Sequence, residues 1–418
     1  MYDMISLPNG VRLLTQAVPA VRTAAVGIYI GTGSRYETAA ENGAAHFLEH
    51  MAFKSTLNRS TQEIARQIDS IGGHVNAYTT KETTCFYARC LDSHLSQAID
   101  LLCDMLLCPA FLQEEVDTER GVILEEIGMY RDTPEDLVSE RLNAAVYKGS
   151  SLARPILGTA KSLAAMDRAS LRAYHDSHYR PERIVVSLAG SFSDGDIELL
   201  KARFGVLRPT PETAFKPAAF KPAVTVKRKA TEQNHLILAF PALSYLDERR
   251  FQINLLSSLL GGGVSSRLFQ QVREERGLCY TVYSYLSDHR DTGLIGLYTA
   301  LSPNTEEDAL TTMCRIVKEL TQTGPLPDEL DRAREQAKTS VLMGLESTRA
   351  RMSHMGSSML LRGRILTPDE LIAGYDAVTP RQVLELAREL FRFDRAALSA
   401  VGRVRTGEEY RSILAQFL

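Results

Sequence analysis

Two hydrophobic periods alternate along this chain. Short apolar runs bounded by turn residues, at 24–30 and 235–240, read as strands buried on both faces. Each leads into a helical pattern and then into a pair of strand-like runs, at 74–80 and 84–90 in the first half and at 280–286 and 293–301 in the second. A helix, a proline-containing turn and a second helix follow in both halves, with Pro109 in one turn and Pro325 and Pro327 in the other. Both halves close on a further strand, 183–190 and 395–402. Between them lies a stiff connector carrying Pro209, Pro211, Pro217 and Pro222. The pattern predicts an α+β fold of two tandem homologous domains, 1–208 and 223–418, joined by a Pro-rich linker at 209–222. Each domain is expected to be a mostly antiparallel sheet packed with helices.

Composition narrows the function classes. A chain of 418 residues exceeds one ordinary core, and its net charge of −3 gives no basic surface for nucleic acid. No apolar run approaches the length that spans a bilayer, so no membrane partner is expected. The first ten residues lack a charged stretch followed by an apolar one, which predicts a cytoplasmic protein. The six cysteines form no CxxC pair and read as reduced, mostly buried thiols.

The candidate chemistry sits on the helical pattern at 44–53. His46 and His50, at i and i+4, lie on one helix face and can aim both imidazoles at one cation. Glu49 is turned about 100° from His50, beside such a cation rather than on it. This His-x-x-Glu-His order inverts the zincin motif, and its glutamate is suited to take a proton from water at a metal. A catalytic zinc needs a third protein ligand. The helix predicted at 115–131 offers Glu119 and Glu126, which project about 20° apart on one stripe with Ile123 between them. Carboxylates on a partly apolar stripe are costly unless a cation meets them.

With these residues in place, nearly the whole chain resembles the pitrilysin–insulinase–mitochondrial processing peptidase family, in its short bacterial branch. The segment 46–56 resembles the family's metal helix, and 119–134 its second ligand-bearing helix. The resemblance implies one zinc ion per chain on His46, His50 and Glu126, with Glu119 supporting and Glu49 as general base. The run 72–79 resembles the substrate-binding edge strand, which implies that Asn76, Ala77 and Tyr78 hold the peptide by strand addition, with Phe53 nearby. The segment 265–280 resembles the one that carries an Arg–Tyr pair, implying that Arg273 and Tyr280 bind the substrate carbonyl and the oxyanion. Asp136 and Glu140 match acids that read basic substrate residues. By the duplication, Ala333 and Ser340 stand where Glu119 and Glu126 do, so the second half has lost the metal site. The family implies an endopeptidase acting on peptides or unfolded segments inside a chamber. Two short chains would each form half of that clamshell, as a homodimer or with a different partner chain. A non-catalytic, peptide-binding scaffold subunit is the alternative from another class.

Overall fold

The computed structural model describes residues 2–209 and 215–418, so Pro211 of the connector lies outside the described residues. The chain is an α+β protein of two compact units that interleave along the sequence. The first comprises 1–127, 154–215 and 342–367, and the second 128–153, 216–341 and 368–418.

The first unit is built on six strands: β1 (Asp3–Ser6), β2 (Arg12–Ala17), β3 (Thr23–Ile30), β4 (His74–Thr79), β5 (Thr84–Leu91) and β6 (Ile184–Gly190). Their order is β1-β2-β6-β3-β5-β4, with β2 parallel to β6 and the other pairs antiparallel. Successive side chains of a strand point to opposite faces, so a strand covered on both sides must be apolar throughout. Residues Val26 and Ile28 face one core with Phe47, Ile99 and Leu102, from the helices Ala44–Ala52 and Leu95–Leu107. Ala25 and Tyr29 face another, closed by Met352 and Met355 of the helix Thr348–Arg362.

The second unit repeats the plan with β7 (Val224–Arg228), β8 (Asn234–Ala242), β9 (Cys279–Asp288), β10 (Gly293–Leu301) and β11 (Ala397–Gly402), ordered β7-β11-β8-β10-β9. Again one pair, β7 with β11, is parallel. The helices Arg250–Gly261 and Glu306–Thr323 pack one face. Val138, Leu142 and Val146 of the helix Pro134–Val146 pack the other, against Ile237, Ala239 and Leu294.

Each unit therefore borrows one covering helix from the other half of the sequence. A buried strand serine receives it in both cases: Ser187 Oγ donates to the Met352 carbonyl at 2.9 Å, and Ser399 Oγ to the Val138 carbonyl at 2.8 Å. All six cysteines are free thiols, four of them buried. Among the described residues, no helix is long and apolar enough to cross a membrane.

The helix Thr348–Arg362 lies so close to its sheet that a Cβ on Gly356 would stand 2.2 Å from the ring of the fully buried Tyr29. Gly356→Val is expected to destabilise the first unit by about 2–3 kcal/mol through overpacking. Urea denaturation checks this: the midpoint falls while the slope stays unchanged.

Candidate active site

The helix Ala44–Ala52 starts without a capping side chain, because its N-cap is Gly43, held at φ 101°. The cap comes instead from Glu37. Its carboxylate accepts from the backbone N–H groups of Gly43 and Ala45, both at 2.9 Å, and from the Asn42 amide at 3.0 Å. Acceptors and negative charge at a helix N-terminus satisfy its orphan donors and its dipole. The register of the following turn, which carries His46, is set from there.

His46 and His50 project from one face of this helix, with ring centroids 4.7 Å apart. The helix Gln113–Asp132 lies across from them and brings Glu126 into the same space. Glu126 Oε2 stands 3.6 Å from His46 Nε2 and 3.5 Å from His50 Nε2. One atom from each of the three residues lies within 4.8 Å of the others. These contacts are too long for good hydrogen bonds. Two ligands each about 2.0–2.1 Å from a tetrahedral zinc would stand about 3.4 Å apart, so the donor set suits such an ion. Glu126 Oε2 and His46 Nδ1 are buried without a hydrogen-bond partner among the described residues.

A further layer orients the ligands. His50 Nδ1 lies 3.0 Å from Glu119 Oε2, and Lys54 Nζ holds the other oxygen of that carboxylate at 2.5 Å. If Nδ1 carries the proton, Nε2 keeps its lone pair toward Glu126 and a metal. Glu119 is buried, and these two partners occupy its carboxylate oxygens. The next turn is tied down as well: Glu115 accepts from the hydroxyls of Ser55 and Thr61, both at 2.6 Å.

The titration pattern follows from the geometry. Burial lowers His46 to about 4, reinforced by the charge of His50, so His46 stays neutral and able to ligate at neutral pH. Burial disfavours charge on His50 too, but Glu126 and Glu119 outweigh it and raise its pKa. His50 holds the Glu126 carboxyl below its usual range against burial, with the charge of His46 adding to the effect. Burial pushes Glu49 up, against the pull of Thr79 and His50. A carboxylate raised toward neutrality is the expected state of a general base.

The structure places the other sequence-predicted residues as follows. Asn76, Ala77 and Tyr78 lie on β4, the edge strand of the first sheet, and Ala77 is buried. The Ala77 N–H is met by the Asn76 side-chain oxygen at 2.8 Å. Phe53 ends the helix that carries His46 and His50 and packs against the core. Arg273 and Tyr280 meet in the second unit, with the guanidinium 4.8 Å above the Tyr280 ring. Tyr280 is 73% exposed. Asp136 and Glu140 sit one turn apart on the helix Pro134–Val146. Burial, then Glu135, raises Asp136.

Glu37, Lys54 and Phe269 escaped the sequence reading. The missing cap at Gly43 was a signal that an acceptor must come from elsewhere. Phe269 underlies Arg273, with the guanidinium 4.6 Å from its ring, in a π-helical turn spanning Phe269–Glu274. Such turns mark functional positions more often than ordinary helix does.

A family model described as Insulinase (Peptidase family M16) matches residues 12–160, and one described as Peptidase M16 inactive domain matches 165–337. An uncharacterized zinc protease of Bacillus subtilis is 43% identical over 397 residues, 95% of this chain and 97% of the relative. Another from Streptomyces coelicolor is 40% identical over 416 residues, 97% of this chain and 90% of its own. The fold matches the crystal structure of a protease from Helicobacter pylori with a TM-score of 0.89 at 20% identity, covering 96% of this chain and 99% of that one.

Removing the carboxylate that orients His50 should weaken metal binding. Glu119→Gln is expected to lower zinc affinity about 10- to 100-fold in a chelator competition. Because protons compete for the raised His50, wild-type affinity should fall with acidification, about tenfold per pH unit below its pKa. Affinity that is flat between pH 7 and pH 5 would contradict this ligand assignment.

Proposed function

Because the chain belongs to the insulinase family of M16 peptidases, we propose that it is a zinc metalloendopeptidase that cleaves peptides or unfolded segments. The observation that carries this reading is the convergence of His46, His50 and Glu126, with the raised carboxyl of Glu49 on the same helix. His46, His50 and Glu126 would hold one zinc ion per chain. When bound, the ion supplies Lewis acidity that polarises a carbonyl and acidifies water. Glu49 takes the proton of the attacking water and delivers it to the leaving amine. Glu119 keeps His50 in its ligating tautomer.

The substrate backbone adds to the open edge of β4. Asn76 swings from the Ala77 N–H, which the peptide carbonyl then takes. Phe53 and Tyr78 border the bound strand. Arg273 and Tyr280 bind the scissile carbonyl and stabilise the oxyanion, with Phe269 keeping the guanidinium in place. Asp136 and Glu140 favour basic residues in the substrate.

The duplicated halves 1–208 and 223–418, joined through 209–222, are read as one ancestral unit copied once, each copy having lent a helix to the other. Two chains pair as a homodimer enclosing a chamber, and the metal of one faces Arg273 and Tyr280 of the other. The complete ligand set weighs against a scaffold role.

Glu49→Gln should retain zinc and lose at least a hundredfold in kcat on fluorogenic peptides, as removal of a general base does. Near-normal turnover would overturn the assignment. Mixing Glu49→Gln chains with Tyr280→Phe chains should restore roughly a quarter of wild-type activity, since half of randomly paired dimers hold one intact site. No recovery despite demonstrated subunit exchange argues that the tyrosine acts within its own chain.

A further inference from the structure

A peptide that extends the first sheet at β4 presents its side chains alternately to the two faces of that sheet. One face is the metal face: there Ala77 and Val75 join the core beneath the metal-bearing helix, and Thr79 adjoins Glu49. The other carries Asn76 and Tyr78, so every second residue of a bound peptide must project there.

That outer face is furnished. In register, Asn76 pairs with Tyr87 of β5, and Tyr78 with Cys85. The rings of Tyr78 and Tyr87 stand 6.4 Å apart, and Tyr78 is 39% exposed. Above Tyr87 sits Arg349, in the first turn of the helix Thr348–Arg362, its guanidinium 4.8 Å from the ring centre. Arg349 Nη2 donates to Tyr87 Oη at 3.2 Å. Burial raises the Tyr78 hydroxyl overall, and the charge of Arg349 offsets a small part of that rise. Among the described residues, no carboxylate lies within ion-pair distance of Arg349, although it is exposed on a chain with 51 acidic residues.

We infer that Arg349, Tyr87 and Tyr78 form an outer-face subsite that selects an acidic side chain, aspartate or glutamate, on the peptide bound to β4. The inference rests on the proposed strand addition. Adjacent strands lie about 4.8 Å apart, so a peptide on β4 runs about 9.6 Å from β5, and the long side chains of Arg349 and a glutamate must close that gap together across Tyr78. The guanidinium is held at the Tyr87 ring by this contact and the hydrogen bond to its hydroxyl, so less freedom is lost when it pairs with a planar carboxylate. A lysine at the same substrate position would meet a like charge beside the ring that already binds a cation.

The test uses fluorogenic peptides of one parent sequence with Glu, Gln or Lys placed in turn at each position around the scissile bond. The zinc-loaded wild type, Arg349→Met and Arg349→Glu are compared by the ratio of kcat/KM between the Glu and Gln peptides. A ratio taken within one protein cancels differences in folded fraction. The wild type should favour Glu about five- to tenfold at positions two residues apart and not at those between. Arg349→Met should bring the ratio near one, and Arg349→Glu should invert the preference toward Lys. The same series read as Kd by fluorescence anisotropy on Glu49→Gln protein gives the ratio without turnover.

Ratios that are unchanged across the three proteins overturn the subsite. Peptides N-methylated at successive backbone amides separate the two levels of the argument. If methylation weakens cleavage at alternate amides while the Arg349 variants change nothing, the subsite alone fails. If methylation is harmless throughout, strand addition itself fails, and the subsite with it.

Discussion

Everything at the site depends on the cost of leaving lone pairs and charge buried without a partner. His46, His50 and Glu126 bring three ligating atoms within 4.8 Å, at separations too long for good hydrogen bonds. Even at a part-buried site such an arrangement is costly unless a cation meets it. The surrounding structure holds these groups in place against that cost. Glu37 fixes the start of the metal-bearing helix, Glu119 and Lys54 fix His50, and Glu115 fixes the turn that follows. Each of these ties is a carboxylate that has found donors, so the ligands are the site's main unmet demand.

The second unit tells the same story from the other side. Its strand order, β7-β11-β8-β10-β9, repeats β2-β6-β3-β5-β4 of the first, including the single parallel pair. Ser187 and Ser399 occupy the same position in β6 and β11, and each receives a helix carbonyl. Yet where the duplication sets Glu119 and Glu126 in the first unit, it sets Ala333 and Ser340 in the second. Neutral side chains leave no charge to be met, and the helix Arg250–Gly261 can pack on its apolar residues alone. The same layers therefore form in the second unit without that ligand set.

What was legible in the sequence follows from how local each signal is. His46 and His50 share a helix face by spacing alone, and the alternating runs placed β4, β5 and β10 to within a residue or two. Glu126 could be narrowed only to one of two glutamates on a helix, because the choice between them depends on packing across 76 residues, from His50 to Glu126. Strands β1, β2 and β7 gave no signal strong enough to read, being short or only partly buried. The exchanged helices were invisible for a different reason. Nothing in the sequence of 134–146 or 348–362 says which sheet a helix there covers. Glu37, Lys54 and Phe269 act through contacts that no motif spacing encodes, since each serves a partner fixed by tertiary packing.

In the proposed binding mode, the edge strand β4 serves both backbone binding and selection. A sheet edge with open donors invites any extended chain, which is a hazard for a monomeric protein. Here the Ala77 N–H is occupied by the neighbouring Asn76 side chain. A passing strand must displace that hydrogen bond before it gains its own, and the exchange is close to neutral. Main-chain pairing at β4 therefore contributes little discrimination. Discrimination must come from what the alternate side chains meet on the two faces: the metal ligands and Glu49 on one, Arg349 over Tyr87 on the other. A protease that holds its substrate by the backbone can be broad in sequence and still selective at the few positions where a fixed charge faces the bound strand.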